Sequence, residues 1–95
     1  PRGIREALTE VLRDRGLDAE VARAGVLGAW ARLVGPRIAA ATEARLITAD
    51  GTLVVAVRSH GWMQELSLME RQLLAALNSA DPAHPIRRIR WELLR

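Results

Sequence analysis

The dipeptide Asp50-Gly51, set between two short apolar segments, constrains this chain more than any other feature. Asp-Gly is favoured where a tight turn joins two antiparallel strands, because both turn residues must reach positive φ. Before it, residues 44–49 (Ala-Arg-Leu-Ile-Thr-Ala) are short and partly β-branched. After it, residues 52–58 (Thr-Leu-Val-Val-Ala-Val-Arg) alternate, with Leu53, Val55 and Val57 on one face. That two-residue period predicts a hairpin with a type I′ turn.

The flanks have a different period. Ile4, Leu8, Val11 and Leu12 recur at helical spacing, and Gly16 is placed to stop a first helix over residues 3–15. Asp18 can cap a second helix that runs to Val34, where Gly35-Pro36 ends it. Its stripe is Leu27, Trp30, Ala31 and Val34, and Pro36 opens a further short turn through Ile38 to Ala41. Beyond the hairpin, Ser59 can cap a helix over 60–79 carrying Trp62, Leu66, Met69, Leu73 and Leu77 on one face. Asn78 to Pro82 breaks it. A last strand, 86–93, puts Ile89, Trp91 and Leu93 on one face and Arg88, Arg90 and Glu92 on the other. The order is helix, helix, strand, strand, helix, strand. The economical packing is a two-layer α+β domain, a three-stranded mixed sheet with helices on one face. The last strand is expected parallel to the second, and the strand order stays open.

Ninety-five residues make one domain, 1–95, able to bury only about 60–65% of its unfolded surface, which leaves little room for a deep cleft. The hydrophobic fraction of 49% suits a globular fold. There is no Cys, which fits a reducing cytoplasm and removes disulfides and thiolate chemistry. No apolar run approaches the roughly 18 residues of a membrane span. The chain opens on Pro1-Arg2-Gly3 and stops at Leu94-Arg95, and is read as a fragment of a longer protein.

A search for reaction chemistry finds no motif. His60 and His84 lie far apart without ligand-spaced partners, so neither a metal site nor a catalytic pair is expected, and no cofactor. No Ser sits in a nucleophile elbow, and there is no phosphate loop or dinucleotide fingerprint. Gly25-Val26-Leu27-Gly28 spells G-x-x-G, but its middle residues are apolar and it lies inside a helix. Close helix packing or a kink is the expected reason for it, rather than a backbone clamp. The expectation is a binding domain and not an enzyme, with no small-molecule substrate and no membrane partner.

All 14 basic residues are Arg, and the net charge is +3. Arg37 and Arg45 flank the start of the first strand, Arg58 ends the second, and Arg87, Arg88 and Arg90 cluster at the third. With helices on one face, the other carries Arg58, Arg88 and Arg90. Such a face either meets phosphates or solvates an exposed sheet against aggregation. Trp30 and Trp91 belong to apolar faces and are expected in the core. Trp62, in the first turn of its helix beside His60, Met63 and Gln64, suits either the core or a contact.

The run Trp30-Ala-Arg-Leu-Val-Gly35-Pro-Arg-Ile38-Ala39, then Thr42, resembles the "W-x-x-x-V-G-x-x-I-A…T" opening of the DciA family of bacterial replicative-helicase loaders. Gly51 to Leu66 is similar to that family's "G-x-L-x-V-x-V-x-S-x-x-W-x-x-E-L" core. Leu73-Leu74, Leu77-Asn78, Ile86 and Ile89-Arg90 are similar to its closing pattern. The resemblance spans about residues 5–93. It implies a KH-like domain without enzymatic activity that binds single-stranded or branched DNA and the replicative DNA helicase, cytoplasmic and nucleoid-associated. A flanking disordered or basic segment is expected outside this stretch. On this reading Arg37, Arg45, Arg58, His60, Arg87, Arg88 and Arg90 meet nucleic acid, and Trp62, Met63 and Gln64 meet the protein partner. The rival readings are a pure protein-interaction module and an RNA-binding KH-like domain.

Overall fold

A computed structural model describes residues 3–14 and 17–94. Gly16, expected to stop the first helix, lies outside the described residues, as do the side chains of Leu12, Arg13 and Asp14. Helix α1 (Ile4–Asp14) is followed by α2 (Asp18–Val34). Asp18 falls at the first helical position, and Leu17 holds the cap position without a side-chain bond. Gly35 closes α2 with φ 90 and ψ 163, donating its N–H to Ala31 O, and Pro36 begins α3 (Pro36–Ala41). Positive φ is costly for any side-chain-bearing residue, so the sharp step between the two helices requires glycine there.

The sheet has the order β1-β2-β3, from β1 (Thr42–Ile47), β2 (Thr52–Val57) and β3 (Arg88–Leu93). β1 is antiparallel to β2, and β3 is parallel to it as the long helical crossover requires. The crossover is α4 (His60–Leu68) and α5 (Glu70–Ala80). One face of the sheet packs on the helices. Leu53, Val55, Val57 and Ile89 meet Val26 and Trp30 of α2, Leu66 of α4, and Leu73 and Leu77 of α5. Val54 and Ala56, on the opposite face, are buried too. They are flanked in register by Leu46 and Glu43 on one side and Arg90 and Glu92 on the other. The expected two-layer α+β arrangement is present.

Four details differ from the sequence expectation. The hairpin turn is not type I′, because among the described residues no residue other than glycine has positive φ. Gly51 (φ 90) donates its N–H to Thr48 O at 3.0 Å, and the Thr48 N–H donates to Thr52 O at 2.9 Å. The loop is therefore three residues long with its glycine last, a common alternative closure. β1 runs 42–47 rather than 44–49, because the turn engages Thr48, whose hydroxyl accepts from Thr52 N–H at 3.1 Å. β3 begins at Arg88 rather than Ile86, because the Asn78 side chain bonds both backbone groups of Ile86, at 2.7 and 3.0 Å. The helix expected over 60–79 divides at Met69 (φ −97, ψ 4), whose N–H bonds Leu66 O at 3.0 Å.

The described residues of the α1 stripe do not join the core: Ile4, Leu8 and Val11 are 88%, 55% and 46% exposed. The sheet is thus covered by α2, α4 and α5, and α1 extends an elongated molecule of 51 × 23 × 22 Å.

Candidate nucleic-acid interface

Most residues of the family-like pattern prove to be fold residues. Trp30 is buried, and its indole N–H donates to the Thr42 hydroxyl at 2.9 Å, which donates in turn to Ile38 O at 2.7 Å. That chain ties α2, α3 and the start of β1 together and satisfies a buried donor. Ser59 caps α4 as expected, accepting from Trp62 N–H at 3.2 Å. Glu70 accepts from Ile89 N–H and from the Trp91 indole N–H, both at 3.3 Å, which seals the outer edge of β3. Trp91 is half-buried. A side chain at Gly25 or Gly28 would meet nothing within 4 Å, and α2 runs unbroken through both. The expected close packing or kink is absent, and no contact accounts for glycine at these positions.

The seven residues expected from the sequence to meet nucleic acid do not converge on one surface. Arg45, Arg88 and Arg90 stand on the open sheet face, and Arg58 follows β2 at the same alternation. A bulge at Arg45 shifts the register, which also turns Leu46 outward beside Val54. Each of the three strand arginines has a carboxylate neighbour. Arg45 lies 4.0 Å from Glu43, Arg88 3.3 Å from Asp50, and Arg90 3.4 Å from Glu92. Hydrogen bonds from Thr48 and Thr52, with Arg88 beside them, hold the Asp50 carboxyl below the usual carboxylate range. The open face therefore sets four cations against three carboxylates and is far less basic than its arginines suggest.

The other three lie elsewhere. The Arg37 guanidinium sits 5.8 Å from the centroid of the Trp62 ring, within cation–π range. Trp62 and Met63 are half-buried and pack against the core, while Gln64 is exposed. His60, at the start of α4, shares a shallow groove with Arg45, Met63, Trp91 and Leu93. Arg87 is on the far side of β3's entry, in a groove between α2 and the hairpin loop. Its backbone N–H donates to Gly51 O at 2.8 Å.

Arg23 of α2 lines that same groove and escaped the sequence reading, since one Arg on a helix face carries no motif. His84 lines it as well. Its Nε2 is 3.1 Å from Asp18 and its Nδ1 3.2 Å from Asp81, so it clasps the start of α2 to the end of α5. The hydrogen bond to Asp18, aided by Asp81, raises the His84 pKa, and the same bond lowers that of Asp18. Among the described residues, no group of three or more His, Asp or Glu is placed to hold a metal ion. No helix among them is long and apolar enough to cross a membrane.

Residues 3–91 match the family model described as "Dna[CI] antecedent, DciA". The chain belongs to the DciA family. A UPF0232 protein of Mycobacterium tuberculosis strain H37Rv is 35% identical over 80 residues, 84% of this chain and 42% of that protein. A UPF0232 protein of Rhodococcus jostii strain RHA1 is 37% identical over 75 residues, 78% of this chain and 39% of that protein. The DciA-family chain thus spans about two fifths of the curated relatives it matches. Among solved structures, ribosome-binding factor A from Thermus thermophilus superposes with a TM-score of 0.57 at 24% identity, covering 79% of this chain and 94% of that one. That likeness concerns the fold, which is the KH-like one that the family resemblance implied.

Proposed function

We propose that this domain binds single-stranded or branched DNA and the replicative DNA helicase, as part of a bacterial helicase loader acting at the nucleoid. Membership of the DciA family over residues 3–91 is the observation that carries the reading. The KH-like fold and the surplus of arginine support the nucleic-acid half of it. Arginine side chains supply the phosphate contacts, among them Arg37, Arg45, Arg58, Arg87, Arg88 and Arg90, with His60 beside them. The corner formed by Trp62, Met63 and Gln64 supplies the protein contact. The domain positions its partners and performs no chemistry of its own.

Two measurements test this. Anisotropy of a labelled single-stranded oligonucleotide should report binding at about 50 mM salt that weakens linearly on a log–log plot as salt rises, because each phosphate contact releases counterions. Absence of binding at that salt removes the DNA half of the proposal. Immobilised domain should retain the replicative helicase of its own cell, and Gln64→Glu should weaken that capture without changing the melting temperature. A helicase that passes unretained removes the other half.

A further inference from the structure

Three arginines of the open sheet face, Arg45, Arg88 and Arg90, share their charge with neighbouring carboxylates, whereas Arg23 and Arg87 do not. Arg23 and Arg87 line one groove between α2, the hairpin loop and the segment leading into β3. Among the described residues neither guanidinium has a carboxylate oxygen within 4 Å or a hydrogen-bond acceptor. The groove measures about 460 Å³, and Ile47, Pro85 and Ile86 are among the residues that line it. Its acidic neighbours keep their charge but share it with other cations or donors, Asp50 with Thr48, Thr52 and Arg88, and Asp18 and Asp81 with His84, and none is paired with Arg23 or Arg87. His84 is turned to those two carboxylates and is not a free donor.

Arg87 is also positioned. Its Cγ lies 3.1 Å from where a Cβ on Gly51 would stand, so the arginine stem crosses the glycine closely. Its N–H is fixed on Gly51 O. An arginine whose backbone and stem are placed this way loses less freedom on binding than one free along its whole length.

We infer that the Arg23–Arg87 groove is a phosphodiester-binding site, in which the two guanidinia grip the backbone of a single nucleic-acid strand. The inference rests on the proposed nucleic-acid binding and names where its firmest backbone contacts lie. Ile47, Pro85 and Ile86 give the sugar an apolar lining, and the ring that lines the groove, His84, is tied to Asp18 and Asp81 rather than free to stack on a base. The contact therefore reads backbone and not sequence.

The test compares the wild-type domain with Arg23→Gln/Arg87→Gln, with Arg88→Gln/Arg90→Gln, and with Ala49→Glu. The last places a carboxylate at the exposed groove wall while removing nothing. Binding to labelled oligo-dT and oligo-rU of equal length is measured across a salt series, and melting temperatures check the fold. The groove pair should weaken binding at least tenfold and flatten the log–log salt slope by about 1.4, the loss of two single-strand phosphate contacts. The sheet-face pair should weaken it less, and Ala49→Glu should act like the groove pair. Equal losses on both oligonucleotides fit a backbone contact, and a loss confined to one of them overturns it. Wild-type binding that survives both groove changes overturns the site while leaving DNA binding standing. A wild-type domain that binds neither oligonucleotide overturns both.

Discussion

The Trp30–Thr42–Ile38 chain shows how one hydroxyl decides the worth of a large side chain. The indole brings a buried apolar surface and one N–H that must be satisfied, and Thr42 is its acceptor at 2.9 Å. Thr42→Val keeps the shape and removes the acceptor, leaving a buried donor unpaired. It should cost about 1–3 kcal/mol, read as a lower urea midpoint with an unchanged slope. Gly28 gives the opposite sign. It is exposed in the middle of α2 with nothing within 4 Å of where a Cβ would stand, so Gly28→Ala adds helix propensity at no steric cost. A gain of about 1 kcal/mol is expected, seen as a rise of about 5 °C in melting temperature. Trp30 was legible in the sequence as a core residue from its stripe. Its partner was legible only as one letter of the family pattern, because a hydrogen bond between residues 30 and 42 has no periodicity.

Among the elements, those whose periodic apolar stripe packs on the core were the readable ones. The alternation of Leu53, Val55 and Val57 placed β2, and the stripe from Trp62 to Leu77 placed the crossover helices. The division at Met69 escaped because periodicity records which face is buried, and one tightened hydrogen bond leaves that face intact. The described residues of the α1 stripe are the converse: Ile4, Leu8 and Val11 keep the pattern but lie exposed. Leu8→Gln should therefore change stability by less than about 0.5 kcal/mol, whereas Leu77→Ala, deep in the core, should cost about 2–5 kcal/mol. Comparing the two urea midpoints checks that contrast. The His84 clasp joins elements that the sequence does not link at all, since Asp18 and His84 are 66 residues apart. The raised His84 pKa makes its contribution complete below the ordinary value of 6.5 and lost as pH rises through the raised one. The lowered Asp18 pKa makes the same contact present above 3.8 and lost as pH falls through the lowered one. Stability should thus decline as pH rises above 6.5, and His84→Gln should remove that step from a series of urea midpoints taken upward from that pH.

For the molecule as a whole, a count of arginines misjudges where the positive field lies. The candidate sheet face was legible in the sequence as alternating arginines, but the carboxylates beside them come from register and from the turn. Glu43 reaches a bulged neighbour, and Asp50 approaches Arg88 across 38 residues. Exposed ion pairs of this kind contribute little to stability, so they open readily, yet their carboxylates remain within a few ångströms of any bound phosphate and repel it. Removing that repulsion should strengthen binding, and removing a cation should weaken it. Glu92→Gln frees Arg90 from its 3.4 Å partner and raises the charge of the face by one without altering a buried group. It should tighten single-strand binding several-fold at about 50 mM salt and lose most of that gain near 0.5 M, where the screening length is only about 4 Å. A tightening that persists at high salt would point to a changed shape rather than a changed field. No tightening at either salt would mean that nucleic acid does not approach the sheet face, leaving the Arg23–Arg87 groove to carry the backbone contacts.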